Sequence, residues 1–171
     1  MKKIINVLLI LLLCSVSAFS FDWNFEDDVL TISGEGKMPD FISEEEVPWY
    51  DYQYSITSIV IDDGVQSIGN YAFSWCDSLE SITIPDSVQA IGDDAFAYCK
   101  NLESIVIGDG VQSIGNRAFF ECDNLKRVVI PNSVQSIDDY AFRGCDNLES
   151  ITIPEHLKDY FEDFDCKIII K

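Results

Sequence analysis

The chain has 171 residues, a mass of 19.3 kDa, and 30 acidic residues against 11 basic ones, which gives a formal net charge of -19. Apolar residues make up 47% of the sequence, enough for a packed core, so disorder along the whole chain is excluded. Such an acidic balance argues against binding to nucleic acid or to anionic lipid, because both ligands select basic residues. The length is that of one domain.

Residues 1–20 are predicted to be a secretory signal peptide. Two lysines come first, residues 4–13 are almost wholly apolar, and small residues then lead to cleavage after Ala18 or Ser20. An apolar run of this length covers about half of a bilayer core, which is too little for a membrane helix. The alternative is a lipoprotein signal in which Cys14 carries the lipid. No later segment is apolar for long enough to cross a membrane.

The sequence from Ser58 onward repeats with a period of 23 residues and without a gap. The four rows read SIVIDDGVQSIGNYAFSWCDSLE, SITIPDSVQAIGDDAFAYCKNLE, SIVIGDGVQSIGNRAFFECDNLK and RVVIPNSVQSIDDYAFRGCDNLE, and a fifth row begins SITIPEHLKDYFEDF. Self-similarity at such a period indicates a solenoid in which each row forms one coil. One row cannot bury its own apolar face, whereas stacked rows share a continuous core.

Each row is expected to contain a strand, a turn, a second straight segment and a short helical turn. The phrase I-x-I alternates as a strand does when its isoleucines face one side, and Asp, Gly, Pro and Ser then turn the chain. An Asn or Asp precedes x-Ala-Phe at positions 70, 93, 116 and 139, where we expect it to cap the helical turn. Columns of like residues should then form ladders about 4.8 Å apart along the solenoid.

Leu79 to Cys99 reads L-x-x-I-x-I-P-x-S-V-x-x-I-G-x-x-A-F-x-x-C. This unit resembles the bacterial leucine-rich repeat of the BspA-like, or treponemal, class, and the resemblance runs from about Trp23 to about Leu157. It implies a β-rich repeat solenoid with a parallel sheet on its concave face. It also implies a secreted or surface protein that binds proteins, often in adhesion to host or neighbouring-cell molecules, and whose repeat is not a catalyst. The array is short for a stand-alone adhesin.

Aromatic residues crowd into the segment before the first complete row. Residues 30–32 repeat the I-x-I phrase there, so we expect an irregular opening coil whose exposed core the aromatics cover. The alternative is a sugar-binding platform built from Trp23, Trp49 and Tyr50. Residues 167–171 are predicted to be an edge strand whose flanking lysines discourage edge-to-edge pairing. The expected organisation is a signal peptide over 1–20, an N-terminal cap over 21–57, leucine-rich repeats over 58–157 and a C-terminal cap over 158–171.

Four cysteines, Cys76, Cys99, Cys122 and Cys145, recur at the repeat period, and Cys166 follows in the C-terminal cap. We expect the four to form a ladder of buried free thiols, because cysteine suits an apolar core and the side chains should point in parallel. A disulfide framework, which regular spacing in a secreted chain invites, and a metal site are the alternatives.

Acids at positions 63, 86 and 109, followed by Asn132 and Glu155, stack on one turn. We interpret them as solvated turn residues, with a bound calcium ion as the alternative. His156 has no assignable catalytic neighbour and is expected to be exposed. The sequence has no nucleophile-elbow, zinc-protease or phosphate-loop motif, so no enzyme, cofactor or metal ligand is predicted.

The side chains between the isoleucines should point away from the core, onto the concave face of the sheet. Lys126 and Arg127 interrupt an otherwise neutral or acidic surface there, and pairing with Glu103 and Glu149 across neighbouring strands is the structural interpretation. The functional interpretation is a contact patch for a protein. Its candidate residues are Glu80, Thr83, Glu103, Val106, Lys126, Arg127, Val129 and Glu149.

We therefore predict a secreted, cell-surface or periplasmic leucine-rich repeat module that binds a protein partner, such as an extracellular-matrix or cell-surface protein. A carbohydrate-binding module that uses the N-terminal aromatics and a structural envelope spacer are the alternatives. On the opposite side of the solenoid, Trp75, Tyr98 and Phe120 occupy variable positions, where a partner could contact them or the next coil could partly bury them.

Overall fold

The computed structural model describes residues 20–161 and 166–171, so the predicted signal peptide, with Cys14, lies outside the described residues apart from Ser20. The strands are β1 (Ser20–Glu26), β2 (Val29–Lys37), β3 (Ser58–Ile61), β4 (Val65–Ile68), β5 (Ser81–Ile84), β6 (Ala90–Ile91), β7 (Ser104–Ile107), β8 (Ser113–Ile114), β9 (Arg127–Val129), β10 (Ser136–Ile137), β11 (Ser150–Ile153) and β12 (Lys167–Ile170). Short 3-10 helices span Glu44–Glu46, Tyr50–Tyr52 and Glu155–Phe161, all of them outside the four complete rows.

Two ladders of strands share β2 and together confirm the predicted solenoid. The first sheet, as we call it, has the order β1-β2-β3-β5-β7-β9-β11-β12, and only β1 is antiparallel to its neighbour. The second sheet has the order β2-β4-β6-β8-β10. Equivalent residues of successive rows pair directly, as in Ser81 with Ser104 and Ile82 with Ile105, because a gapless repeat keeps every coil in the same register.

The opening coil has the predicted role although its spacing to the next coil is irregular. In β2, Leu30 pairs with Ile59 and Ile32 with Ile61, so the first I-x-I phrase joins the first sheet. At the other end β12 pairs in parallel with β11, as an edge strand. The described part of the sheet therefore runs from β1 at one edge to β12 at the other.

The core lies between the two sheets and the turns opposite them, and it is continuous from end to end. Its axis is a ladder of phenylalanines whose ring centroids lie 5.2–5.3 Å apart, close to the spacing of stacked strands. The rings are Phe73, Phe96, Phe119 and Phe142, all of them almost completely buried. Such a ladder forms because each coil contributes the same ring at the same place, and stacked rings add to the stabilisation from burial.

The Ala–Phe segments are turns in the structure, and the predicted helix caps are wrong. The Asn70 side chain accepts a hydrogen bond from the backbone N–H of Asp93 at 2.7 Å, and Asp93 accepts one from Asn116 at 2.8 Å. These residues therefore connect neighbouring coils. Backbone N–H groups along a turn also bond in two ways. The N–H of Phe73 donates to the backbone oxygen of Ala95 in the next coil, whereas the N–H of Cys76 donates to the backbone oxygen of Phe73 in its own coil.

The repeating cysteines are buried free thiols, as predicted. The thiol of Cys99 donates to the backbone oxygen of Phe73 at 3.2 Å, and Cys122 and Cys145 make the equivalent bonds to the preceding coil. Burial raises the pKa of these thiols, to about 12 for Cys145. Cysteine recurs at this position in all four complete rows because a small side chain with a weak donor fits a core position beside a backbone carbonyl.

Candidate binding surface

The outer face of the first sheet carries a column of exposed apolar and hydroxyl side chains. Val60, Val106 and Val129 are 46%, 58% and 54% exposed, and Thr83 lies exposed between the first two. Strand alternation places them there, because the isoleucine or valine on either side of each one is buried in the core. The structure thus brings Thr83, Val106 and Val129 together on one face, as the sequence predicts.

The four charged residues beside this column form the two predicted pairs. The Nζ atom of Lys126 lies 2.7 Å from Oε2 of Glu103, and Nη2 of Arg127 lies 3.4 Å from Oε2 of Glu149. All four side chains are at least half exposed, so each pair contributes about 0.2–1 kcal/mol to the stability of the fold. Glu80 is exposed at the same level of the sheet as Glu103. The two cations and their two partner carboxylates therefore lie on neighbouring coils, where they are paired but remain exposed.

A shallow depression of about 460 Å³ lies where these strands end. Its lining includes Thr83 and Val106, together with turn residues such as Asp63, Pro85 and Asp86. The turn acids have a structural use, since Oδ1 of Asp86 accepts a 2.7 Å hydrogen bond from the backbone N–H of Asp109 in the next coil. Within residues 20–161 and 166–171 no group of three or more His, Cys, Asp and Glu side chains is arranged to hold a metal ion.

The N-terminal aromatics cover the first coil, as expected, and the ring of Trp49 is not available to a sugar platform. Trp49 is completely buried, its indole N–H donates to the backbone oxygen of Ala72 at 2.8 Å, and its ring stacks on Phe73 at 5.6 Å. Trp23 is half-buried and packs edge-on against Trp49, whereas Tyr50 is 38% exposed. A sugar needs an open ring face, and Trp49 has none because the cap must shield the end of the phenylalanine ladder.

The variable aromatics on the opposite side stack on one another, which partly buries them. The rings of Trp75 and Tyr98 are 4.2 Å apart and nearly parallel, and Tyr98 meets Phe120 edge-on at 5.5 Å. Arg117 completes this cluster: its guanidinium lies 4.3 Å from the Phe120 ring and donates to the Tyr98 hydroxyl at 3.1 Å. Arg117 was not predicted from the sequence, although its place beside Ala-Phe is occupied by a different residue type in the neighbouring rows.

Arg117 also pairs with a buried acid. Its Nε atom lies 3.5 Å from Oδ1 of Asp94, a residue that is 8% exposed. Burial raises the pKa of the Asp94 carboxyl, and the positive charge of Arg117 opposes that rise.

His156 is exposed, as predicted, and its Nε2 lies 2.8 Å from the backbone oxygen of Val134. These contacts hold neighbouring coils together.

Solved structures of bacterial leucine-rich repeat proteins resemble this one. A protein from Eubacterium ventriosum is 32% identical, with a TM-score of 0.63 over 80% of this chain and 42% of its own. The Treponema pallidum leucine-rich repeat protein is 26% identical, with a TM-score of 0.60 over 78% of this chain and 68% of its own. A leucine-rich cell surface protein from Faecalibacterium prausnitzii is 25% identical, with a TM-score of 0.60 over 88% of this chain and 38% of its own.

This chain thus spans about two fifths of the length of the first of these relatives, and no curated protein matches its sequence. None of the helices in the described residues has the length and apolarity that a membrane crossing requires. Leucine-rich repeats generally mediate protein–protein interactions and are typically non-enzymatic. Residues 49–164 match the BspA type leucine-rich repeat region in 6 copies. The chain therefore belongs to the BspA-type leucine-rich repeat proteins.

Proposed function

We propose that this chain is an exported leucine-rich repeat module that binds a protein partner through the outer face of its first sheet. The observation that carries the proposal is the exposed column of Val60, Val106 and Val129 beside two ordered charge pairs. The predicted signal peptide supports export, as does the cell surface protein among the structural relatives. The proposed role is adhesion to a host or neighbouring-cell protein.

The arrangement resembles the anatomy of a protein interface, in which an apolar centre is surrounded by charged groups. A partner that covers Val106 and Val129 removes two half-exposed side chains from water, each worth roughly 1 kcal/mol at that degree of exposure. Lys126 and Arg127 offset the charges of Glu103 and Glu149, so this patch is less negative than a chain with a net charge of -19 is as a whole. They favour a partner with carboxylates, and long-range attraction to it should weaken as salt increases.

The test is binding of the chain from Phe21 to a panel of extracellular-matrix proteins and glycans at two salt concentrations. The first variant is Lys126→Glu/Arg127→Glu, and the second is Val106→Thr/Val129→Thr, which keeps the β-branched shape and replaces one methyl group of each side chain with a hydroxyl group. We expect each to weaken saturable protein binding about tenfold or more, and only the loss in the charge variant to depend on salt. The exposed positions make both changes compatible with folding.

The matched control is Lys37→Glu/Lys158→Glu, which changes the net charge by the same amount at exposed sites outside the outer column. Binding that falls equally in this control would reflect net charge alone and would contradict the proposed surface. Glycan binding that both sheet variants leave unchanged would favour the carbohydrate alternative. Absence of binding to the whole panel would favour the structural spacer.

A further inference from the structure

Among the residues that the structure describes, the first sheet ends in an edge strand on each side. Within the described residues β1 pairs only with β2, and β12 pairs only with β11. An edge strand presents unpaired backbone N–H and C=O groups, to which another strand can be added. The sheet can therefore be extended at both ends, and the side chains on each end indicate what is added.

The N-terminal edge is acidic on its outer face. Asp22 and Glu26 are exposed. Trp23 and Phe25, which lie between them in the chain, face the core, because they pair with the buried Ile32 and Leu30 of β2. The two acids are thus four residues apart on one face of the strand. The inner face of the same strand is aromatic.

The C-terminal edge has the same pattern with the opposite charge. Lys167 and Lys171 are exposed and are also four residues apart, while Ile168 and Ile170 lie on the core side, in register with the buried Ile151 and Ile153 of β11. The Ile170 side chain remains 42% exposed. The inner face of this edge is therefore apolar and incompletely covered.

Backbone direction is complementary as well. Asp27 and Asp28 have φ values of 51° and 62°, which identify a two-residue type I′ hairpin loop between β1 and β2. The residues flanking such a loop, here Glu26 and Val29, exchange backbone hydrogen bonds, and alternate residues of each strand then point their groups the other way. Phe25 and Trp23 consequently direct their N–H and C=O groups to the open edge.

In β12 the alternation likewise points the backbone groups of the apolar residues to the open edge, while their side chains stay on the core side. The backbone N–H of Lys167 donates to Glu149 at 3.2 Å, and that of Lys171 donates to Ile153 at 3.0 Å. The intervening Ile168 and Ile170 therefore direct their N–H and C=O groups away from β11. Both edges thus offer backbone groups at residues whose side chains face the core.

We propose that copies of this chain join head to tail, with β12 of one copy adding to β1 of the next. Because β1 runs opposite to the other strands, translation of a copy along the solenoid makes this new pair antiparallel. Ile168 then lies opposite Phe25 of the next copy, and Ile170 lies opposite Trp23. These are the residues whose backbone groups are open on both edges, so the pairing completes both the hydrogen-bond ladder and the apolar inner face.

The same register places each lysine opposite an acid. Lys167 faces Glu26 of the next copy, and Lys171 faces Asp22. A shift of two residues in either direction leaves at least one lysine opposite an uncharged residue. Oppositely charged residues directly across an antiparallel pair are stabilising, and like charges there are destabilising, so this register is favoured over its neighbours.

Charge also selects the head-to-tail arrangement over a symmetric one. Two copies of β12 in antiparallel register would place Lys167 opposite Lys171, and two copies of β1 would place Asp22 opposite Glu26. Each edge therefore repels its own kind, which agrees with the predicted role of the lysines, and attracts the other edge. A contact between two different surfaces repeats without closing when translation relates the copies, so the product is an extended assembly. This assembly is independent of the proposed protein binding.

The test uses charge reversal on the full sequence, expressed with export so that the secreted product is purified. Sedimentation velocity across a wide concentration range measures self-association of the wild type, of Lys167→Glu/Lys171→Glu and of Asp22→Lys/Glu26→Lys. We expect the wild type to form concentration-dependent species larger than a dimer and each variant to lose association about tenfold or more. Mixing the two variants should restore it, because each then supplies the edge that the other lacks.

Net charge is separated from local pairing by two comparisons. Asp22→Lys/Glu26→Lys reduces the negative charge of the chain, which would favour association if overall repulsion were decisive, whereas edge pairing requires a loss. The variant with all four reversals has the wild-type net charge and should associate as the wild type does. The control Lys126→Glu/Arg127→Glu changes charge in the middle of the same sheet and should associate normally.

A wild type that is monomeric at every concentration overturns the proposal, and so does association that survives either edge reversal or that mixing fails to restore. Hydrogen exchange provides a readout that does not depend on any variant. The backbone amides of Trp23, Phe25, Ile168 and Ile170 should gain protection as wild-type concentration rises. Unchanged exchange at these four amides would equally contradict strand addition.

Discussion

The burial of Trp49 gives a prediction that separates a structural cap from a sugar platform. In Trp49→Phe the backbone oxygen of Ala72 loses its 2.8 Å donor in a buried site, which costs about 1–3 kcal/mol. The smaller ring also leaves space beside Phe73, at a further cost of about 1 kcal/mol. We expect a total loss of about 3 kcal/mol in the free energy of unfolding. For a chain of this size that lowers Tm by roughly 6–12 °C.

Urea unfolding followed by far-ultraviolet circular dichroism measures this loss without relying on tryptophan emission, which the substitution itself alters. The matched control is Trp23→Phe, because Trp23 is half-buried in the same aromatic cluster. We expect the control to cost less than about 1 kcal/mol. Equal effects of the two substitutions, or a Trp49→Phe protein as stable as the wild type, would refute the argument that Trp49 closes the end of the core.

The remaining predictions concern the buried polar groups and one turn. In alkylation followed by mass spectrometry, the native protein should react at Cys166 alone among the described cysteines, because the other four are buried and Cys166 is only partly so; modification of all five at similar rates would contradict this. Burial raises the pKa of Asp94, so its ionisation removes stability as pH rises through that pKa. Arg117→Met should therefore destabilise the protein more at neutral than at acidic pH in urea titrations, and an equal loss at both would count against the pairing. Gly110→Ser should lower stability by at least about 1 kcal/mol, although serine occupies this place in the neighbouring rows, because a Cβ atom there meets the backbone oxygen of Asp86; an unchanged urea midpoint would show that the turn adapts.

The candidate surface was largely predictable because strand alternation decides which side of a sheet a residue faces. The aligned rows require Val106 and Val129 to lie on the outer face, and they place Lys126 and Glu103 directly before two neighbouring strands. The cluster around Arg117 was not predictable in this way. Its ring and guanidinium contacts depend on the local path of the turns, where left-handed residues redirect each side chain.

The error about Asn70 and its equivalents has a physical cause. An Asn before x-Ala-Phe fits the local pattern of a helix cap, in which the side chain bonds to its own segment. In a stacked solenoid a backbone N–H of the next coil lies at about the same distance, and Asn70 bonds to that of Asp93. The spacing of residues within one row describes only the hydrogen bonds possible inside that row, so it could not reveal the bond to Asp93 in the next coil.

The sequence by itself determined the family, the repeat register and the composition of the core, because a gapless period repeats the same burial pattern in every coil. The tertiary structure decided which polar groups bond between coils, that Trp49 is enclosed, and that the two edges of the first sheet present opposite charges with matching backbone directions. These properties depend on contacts between segments far apart in the chain. They are set by how the coils stack, and no single row contains that information.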